Sequence, residues 1–194
     1  MRPWMILSMS ALVACEAAEP EDDVDVPPPG PAWADYAGDG AVQRVEAERY
    51  LGRWYEIASV PLPFQRGCRD TTATYVDRGD ATIAVINRCV QGDGTVWELE
   101  GSARAVDDSF ARLKVSFFGA GEADYWVVEL DEAADGAYRT AAVSDPSQLS
   151  LWILHREPEL DAEVEAELLE RLDERGYRPE RMEPTEQGFA DDPS

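Results

Sequence analysis

Basic residues are scarce in this sequence. Lysine and arginine together number 17 against 40 aspartates and glutamates in 194 residues, a formal charge of -23, so contact with a phosphate backbone is repulsive and nucleic acid is excluded as a partner. A bare anionic bilayer is excluded on the same ground, and any hold on a membrane has to be covalent or inserted. Histidine occurs once, at His155. A lone imidazole cannot supply a zinc site, and the acidic run Asp22-Asp23-x-Asp25 lacks the glycine and closing glutamate of a calcium loop. The sequence contains neither a Gly-x-Ser-x-Gly elbow nor a glycine-rich phosphate loop ahead of a helix. No metal, no cofactor and no enzymatic reaction are therefore expected, and His155, beside Arg156 in an apolar stretch, reads as structural. From Glu16 to Gln43 cationic residues are absent altogether, while eight acids and five prolines, Pro27-Pro28-Pro29 among them, leave no apolar face to offset ordering entropy. That composition predicts a stiff, solvated tether. Trp33 and Tyr36 are its exceptions, either docked on the following domain or simply interrupting the linker.

The long apolar run of a membrane-spanning helix is missing too. What stands at the N-terminus is Arg2 followed by Trp4-Met5-Ile6-Leu7-Ser8-Met9-Ser10-Ala11 and Leu12-Val13-Ala14-Cys15, too short to span a bilayer in the mature protein. The last four residues resemble the bacterial lipobox, in which cleavage ahead of the cysteine is coupled to its acylation. The resemblance implies a signal peptide over 1–14 and a lipid anchor at Cys15, with outer-membrane residence of the envelope protein. A general secretory signal with an incidental cysteine is the alternative.

Only three cysteines occur. With Cys15 acylated, Cys68 and Cys89 remain in a compartment that permits disulfides. They stand almost symmetrically about a turn at Arg78-Gly79-Asp80 and could face each other across a hairpin. Two buried free thiols are the other reading, because inside and outside parity does not force a match.

The body of the chain, 44% hydrophobic overall, suffices for one domain with a sizeable core. Eight β-type runs lie near 53–60, 69–77, 81–90, 95–106, 110–119, 123–131, 136–144 and 149–156, separated by turn residues such as Gly92-Asp93-Gly94 and Gly119-Ala120-Gly121. Up-and-down strands of this number can close into a barrel with room for one small ligand. Residues 158–175 switch to helical spacing, with Leu160, Val164, Leu168 and Leu172 on one stripe, Asp161 as N-cap and Gly176 as stop. The opposite face is acidic, so the stripe is expected to pack on the outer wall of the barrel and not on a membrane. Beyond Glu183 the composition reads as a frayed tail, 184–194.

The stretch Tyr50-Leu51-Gly52-Arg53-Trp54-Tyr55-Glu56-Ile57-Ala58 resembles the opening motif of the lipocalins, in the form found in the bacterial outer-membrane lipoproteins and the apolipoprotein D type. Thr72-Ala73-Thr74-Tyr75, Leu113 to Gly119 and Leu151-Trp152-Ile153-Leu154-His155-Arg156 follow in the family's order. Where the family's second motif carries Thr-Asp-Tyr, this chain has Ser144-Asp145-Pro146. The resemblance covers 46–183 and implies an all-β, eight-stranded up-and-down antiparallel lipocalin barrel with one C-terminal α-helix packed outside. It also implies that Gly52, Trp54 and Arg156 form the structural motif, with the Arg156 guanidinium across Trp54.

Strand alternation nominates the lining. Leu113, Val115 and Phe117 alternate with charged residues and should point inward. Placing Glu129 toward water sends Trp126, Val128 and Leu130 inside, and Ile83, Val85 and Asn87 form another inward set. Which face of Leu151-Trp152-Ile153 looks inward stays open. Tyr75, Asn87, Phe117 and Trp126 match cavity-lining positions by resemblance, and the candidate ligand set is Tyr75, Asn87, Phe117, Trp126, Val128 and Trp152. The resemblance implies a carrier that binds, stores or transports a small hydrophobic ligand, a fatty acid or lysophospholipid, and the protein is expected as a monomer or homodimer. Two rivals stand beside it: a lipocalin-fold enzyme using Cys89, and a structural lipoprotein whose barrel is filled.

Overall fold

The computed structural model describes residues 32, 33, 35, 40–117, 119 and 121–188. The signal peptide, Cys15 and most of the expected tether, Tyr36 included, lie outside the described residues. Eight antiparallel strands form the wall: β2 (Gly52–Ser59), β3 (Arg69–Asp77), β4 (Ile83–Val90), β5 (Val96–Ala105), β6 (Arg112–Phe117), β7 (Ala123–Glu132), β8 (Tyr138–Ser144) and β9 (Leu151–His155). Each pairs with the next, and β9 returns to β2, which closes the barrel. All eight runs expected from β-type composition and turn residues are present, with ends trimmed. Asp145, for example, accepts the amides of Ser147 at 2.7 Å and Ser150 at 3.0 Å, so the loop that departs from the family motif is held by its own aspartate.

Two shorter strands sit against the barrel, β1 (Ala32–Trp33) on β7 and β10 (Glu183–Pro184) on β2. Among the described residues two α-helices accompany the barrel: α1 (Ala47–Tyr50) at its closed end and α2 (Ala162–Glu174) outside it. The side chain of Asp161 accepts the amides of Glu163 and Val164, satisfying two of the donors a helix start leaves unpaired. Leu168 and Leu172 are fully buried against Val128, Ala142, Leu151 and Ile153 of the wall, as the stripe required.

Three expectations need correction. Residues 40–45, assigned to the tether, belong to the fold: Val42 and Val45 are buried in the barrel core, and their amides donate to Val127 O and Ser109 O. Trp33 docks as well, donating Nε1–H to Glu167 at 2.7 Å with the Arg171 guanidinium 5.1 Å above its ring. At the other end, residues 183–188 are laid along the wall in place of a frayed tail, because backbone groups of β2 and β3 are available there to pair with them.

The third correction concerns β7. Its register with β8 shifts between Val127 and Glu129, and the extra residue puts Val128 and Glu129 both on the outer side. Glu129 does point away from the interior, but α2 covers it completely: Arg171 and Arg175 both bond its carboxylate. A buried carboxylate needs such partners, and these come from a helix more than 40 residues further on.

Candidate functional site

The closed end is built on Trp54. Its ring is wholly buried, its Nε1–H donates to Tyr50 O at 2.8 Å, and the Arg156 guanidinium stacks 3.8 Å from the ring centroid. Arg156 also donates to the carbonyls of Arg53 (2.7 Å), Arg49 (2.8 Å), Leu51 (3.0 Å), Tyr50 (3.2 Å) and Tyr138 (3.3 Å). A planar fork of five N–H donors is suited to gathering several carbonyls at once. Gly52 sits at φ +95°, and a Cβ there would come within 3.4 Å of Arg156 Nη1, which explains the glycine of the motif. These three residues are brought together as the resemblance implied.

Above this plug lies a chain of phenols. Tyr125 Oη is 2.7 Å from both Tyr50 Oη and Tyr75 Oη. Burial pushes Tyr75 up to about 12 and holds the other two well above the ordinary tyrosine value, so all three stay neutral. Tyr50 and Tyr125 were not among the sequence candidates. Tyr50 stands in the motif stretch without a role assigned to it, and Tyr125 faces inward only because of the β7 register.

The upper wall differs from the floor. Ala73, Asn87, Leu99 and Trp97 share the inward face with Tyr75, Val85 and Cys89 by strand register, yet they are only half-buried. Phe117 and Trp152 are likewise inward, against the interior core, and half-buried. Phe117 packs against Gly101, where an added Cβ would meet its ring at 2.5 Å, so the glycine makes room for the aromatic. Residues that point into a barrel and yet keep part of their surface accessible border an open space; those of the floor, at 3% exposure or less for Tyr50, Trp54 and Tyr75, do not. Arg88, Arg104, Arg112 and Lys114 all occupy outward register positions. Glu56, two residues after Trp54 in β2, accepts hydrogen bonds from Ser59, Gln65 and Thr185, and burial raises its pKa.

The candidate list therefore divides. Tyr75, Asn87, Phe117 and Trp152 face the interior. Val128 faces α2, and Trp126 shares the outward face with Arg112, whose guanidinium lies 5.7 Å from its ring, although Trp126 packs against both the interior and the outer cluster. Tyr125 and Val127 take the inward places instead, because the β7 bulge shifts the phase. Trp97 and Leu99 were missed, although alternation with Glu98 and Glu100 could have found them.

Cys68 and Cys89 are joined, with Cα atoms 5.4 Å apart. A bridged Cys89 has no thiolate, so the nucleophile considered at this position is not available. On the outer wall, Thr140 Oγ1 lies 3.0 Å from His155 Nδ1 and 3.5 Å from Asp131. The threonine stands between acid and imidazole, an order unlike that of a hydrolytic triad.

Burial pushes Asp131 up to about 6. A carboxyl whose folded pKa is raised stabilises the fold most below its unfolded value, and that contribution is lost as pH rises through about 6. With some water access, the loss is about 1–2 kcal/mol. Urea unfolding at pH 4 and pH 7 should show Asp131→Asn with a smaller decline than wild type and greater stability at pH 7. Equal declines would leave Asp131 without this role.

A lipocalin-like domain model matches residues 45–187. The chain is 36% identical over 173 residues to the outer membrane lipoprotein Blc of Citrobacter freundii, covering 88% of this chain and 87% of that one. It is 41% identical over 138 residues to the protein of the same name from Escherichia coli K12, covering 70% and 76%. Bovine apolipoprotein D is 32% identical over 149 residues, covering 75% and 78%. Among solved structures, insecticyanin from the tobacco hornworm Manduca sexta superposes with a TM-score of 0.61 at 20% identity, over 82% of this chain and 91% of that one. Lobster apocrustacyanin A1 superposes at 0.56 and 16% identity, over 74% and 80%. With the family model spanning most of the chain and the Gly52, Trp54 and Arg156 plug in place, this protein belongs to the lipocalin family.

Proposed function

We propose that the barrel is a carrier for a single-chain hydrophobic ligand, a fatty acid or lysophospholipid. The observation that carries this reading is the contrast within the barrel: a sealed floor of Trp54, Tyr50 and Tyr75 beneath a half-buried apolar wall of Ala73, Leu99, Trp97, Phe117 and Trp152. An acyl chain matches such a wall, at about 0.8 kcal/mol per methylene removed from water before ordering costs. The outward placement of Arg88, Arg104, Arg112 and Lys114 supports a polar head held at the mouth, where water solvates it. The similar bacterial proteins are named outer membrane lipoproteins, and with the lipobox resemblance at Cys15 this supports residence in the outer membrane through an acyl anchor.

Delipidated protein titrated with a long-chain fatty acid or lysophospholipid should bind at micromolar concentration or tighter with quenching of tryptophan fluorescence. Trp152→Ala should weaken binding about fivefold or more, and Trp126→Ala, on the outer wall, much less. A folded protein that gives no saturable signal with either lipid would favour a filled structural barrel.

A further inference from the structure

The barrel wall is not made of strand ladders all the way round. β2 pairs with β3 only where Gly52 to Tyr55 lie opposite Tyr75 to Thr72. Past that point the two strands part, and residues 183–188 fill the gap between them. Glu183 and Pro184 pair with Ser59 and Ala58. The Thr185 amide donates to Ile57 O at 2.8 Å, and the Asp70 amide donates to Glu186 O at 2.8 Å. Gln187 Nε2 donates to Glu56 O at 2.8 Å and to Thr71 O at 3.1 Å, and the Gly188 amide donates to Asp70 Oδ1 at 2.6 Å. On its inner side Thr185 also bonds the buried Glu56 carboxylate.

This patch is held by polar contacts. Glu183, Pro184, Glu186 and Gly188 are exposed, and no side chain of 183–188 joins either apolar cluster. Hydrogen bonds exchanged for water are worth little net, whereas opening any other seam separates a strand ladder over packed side chains. Immediately outside lies a groove of about 350 Å³ lined by Arg53, Tyr55, Thr72, Arg88, Gln187 and Gly188. The segment thus stands between that groove and the inward carboxylate of Glu56.

We propose that this segment is a side gate: residues 183–188 swing out, and an acyl chain passes laterally between β2 and β3 instead of threading in through the mouth. The inference rests on the carrier reading above. Ala58 and Pro184 are direct cross-strand partners, so Ala58→Cys with Pro184→Cys, checked by peptide mapping for the new bridge and for Cys68–Cys89, locks the gate. Stopped-flow tryptophan fluorescence with a long-chain fatty acid should then show association and dissociation both slowed about tenfold or more relative to each single variant, with nearly unchanged affinity. Unchanged rates in the locked protein overturn the gate while leaving the carrier reading intact, and absence of binding in the unlocked protein removes both.

Hydrogen exchange tests the gate without ligand. The Asp70, Thr185 and Gly188 amides should exchange about a hundredfold faster than those of Val42 and Val127, which donate into the closed end. Exchange as slow as at Val42 and Val127 would overturn the proposal.

Discussion

Arg156→Ala is expected to destabilise the domain by about 3–4 kcal/mol. Five backbone carbonyls lose a donor, and the face of Trp54 loses the cation 3.8 Å from its ring centroid. One charge-assisted bond contributes about 1.5–3 kcal/mol and a desolvated cation over an aromatic about 2, but the exposed rim lets water replace part of this. The three carbonyls of Arg49, Tyr50 and Leu51 belong to the segment that caps the barrel floor, so their loss also loosens Tyr50 and, through its hydroxyl, Tyr125. Arg156→Lys should recover less than half of the loss, because a single ammonium cannot fork among carbonyls pointing different ways. Urea unfolding of the three proteins measures this. A loss below about 1 kcal/mol for the alanine variant would show that the plug is held by packing of Trp54 alone.

Removal of the Cys68–Cys89 bridge is the second large effect. The bond closes a loop of 21 residues, which in the chain-entropy account stabilises by about 3 kcal/mol through restriction of the unfolded chain. For a domain of this size that corresponds to a fall in melting temperature of roughly 6–12 °C. The double variant Cys68→Ser, Cys89→Ser should show this fall, and reduction of the wild-type protein should produce nearly the same one. Two alkylatable thiols in the purified, unreduced protein would show that the bond is absent in solution and would return a nucleophile to position 89. The bridge also ties the start of β3 to the end of β4 beside the side gate, so reduction is expected to raise exchange at Asp70 more than at Val127.

Much of this molecule is written in local chemistry. Asp161 ahead of an apolar stripe specified α2 because a capped first turn and a 3.6-residue period are properties of neighbours in sequence. β-type composition between turn residues located all eight barrel strands, and alternation gave the inward face of Arg112 to Phe117, because a regular strand has a fixed phase once one charged residue is placed. Gly52, Trp54 and Arg156 were legible as a motif, and their contact follows from β2 and β9 being neighbours in the closed barrel. Tertiary structure alone decided the rest. The bulge in β7 leaves no mark in composition, yet it turns Trp126 and Val128 outward and Tyr125 and Val127 inward. Glu129 read as solvated because its two arginines lie a whole strand pair and helix away. Residues 183–188 are polar and proline-marked, as a loose tail would be, and only the gap left between β2 and β3 gives their amides and carbonyls partners. In each case the deciding energy is a pairing between distant residues, which no local window of sequence contains.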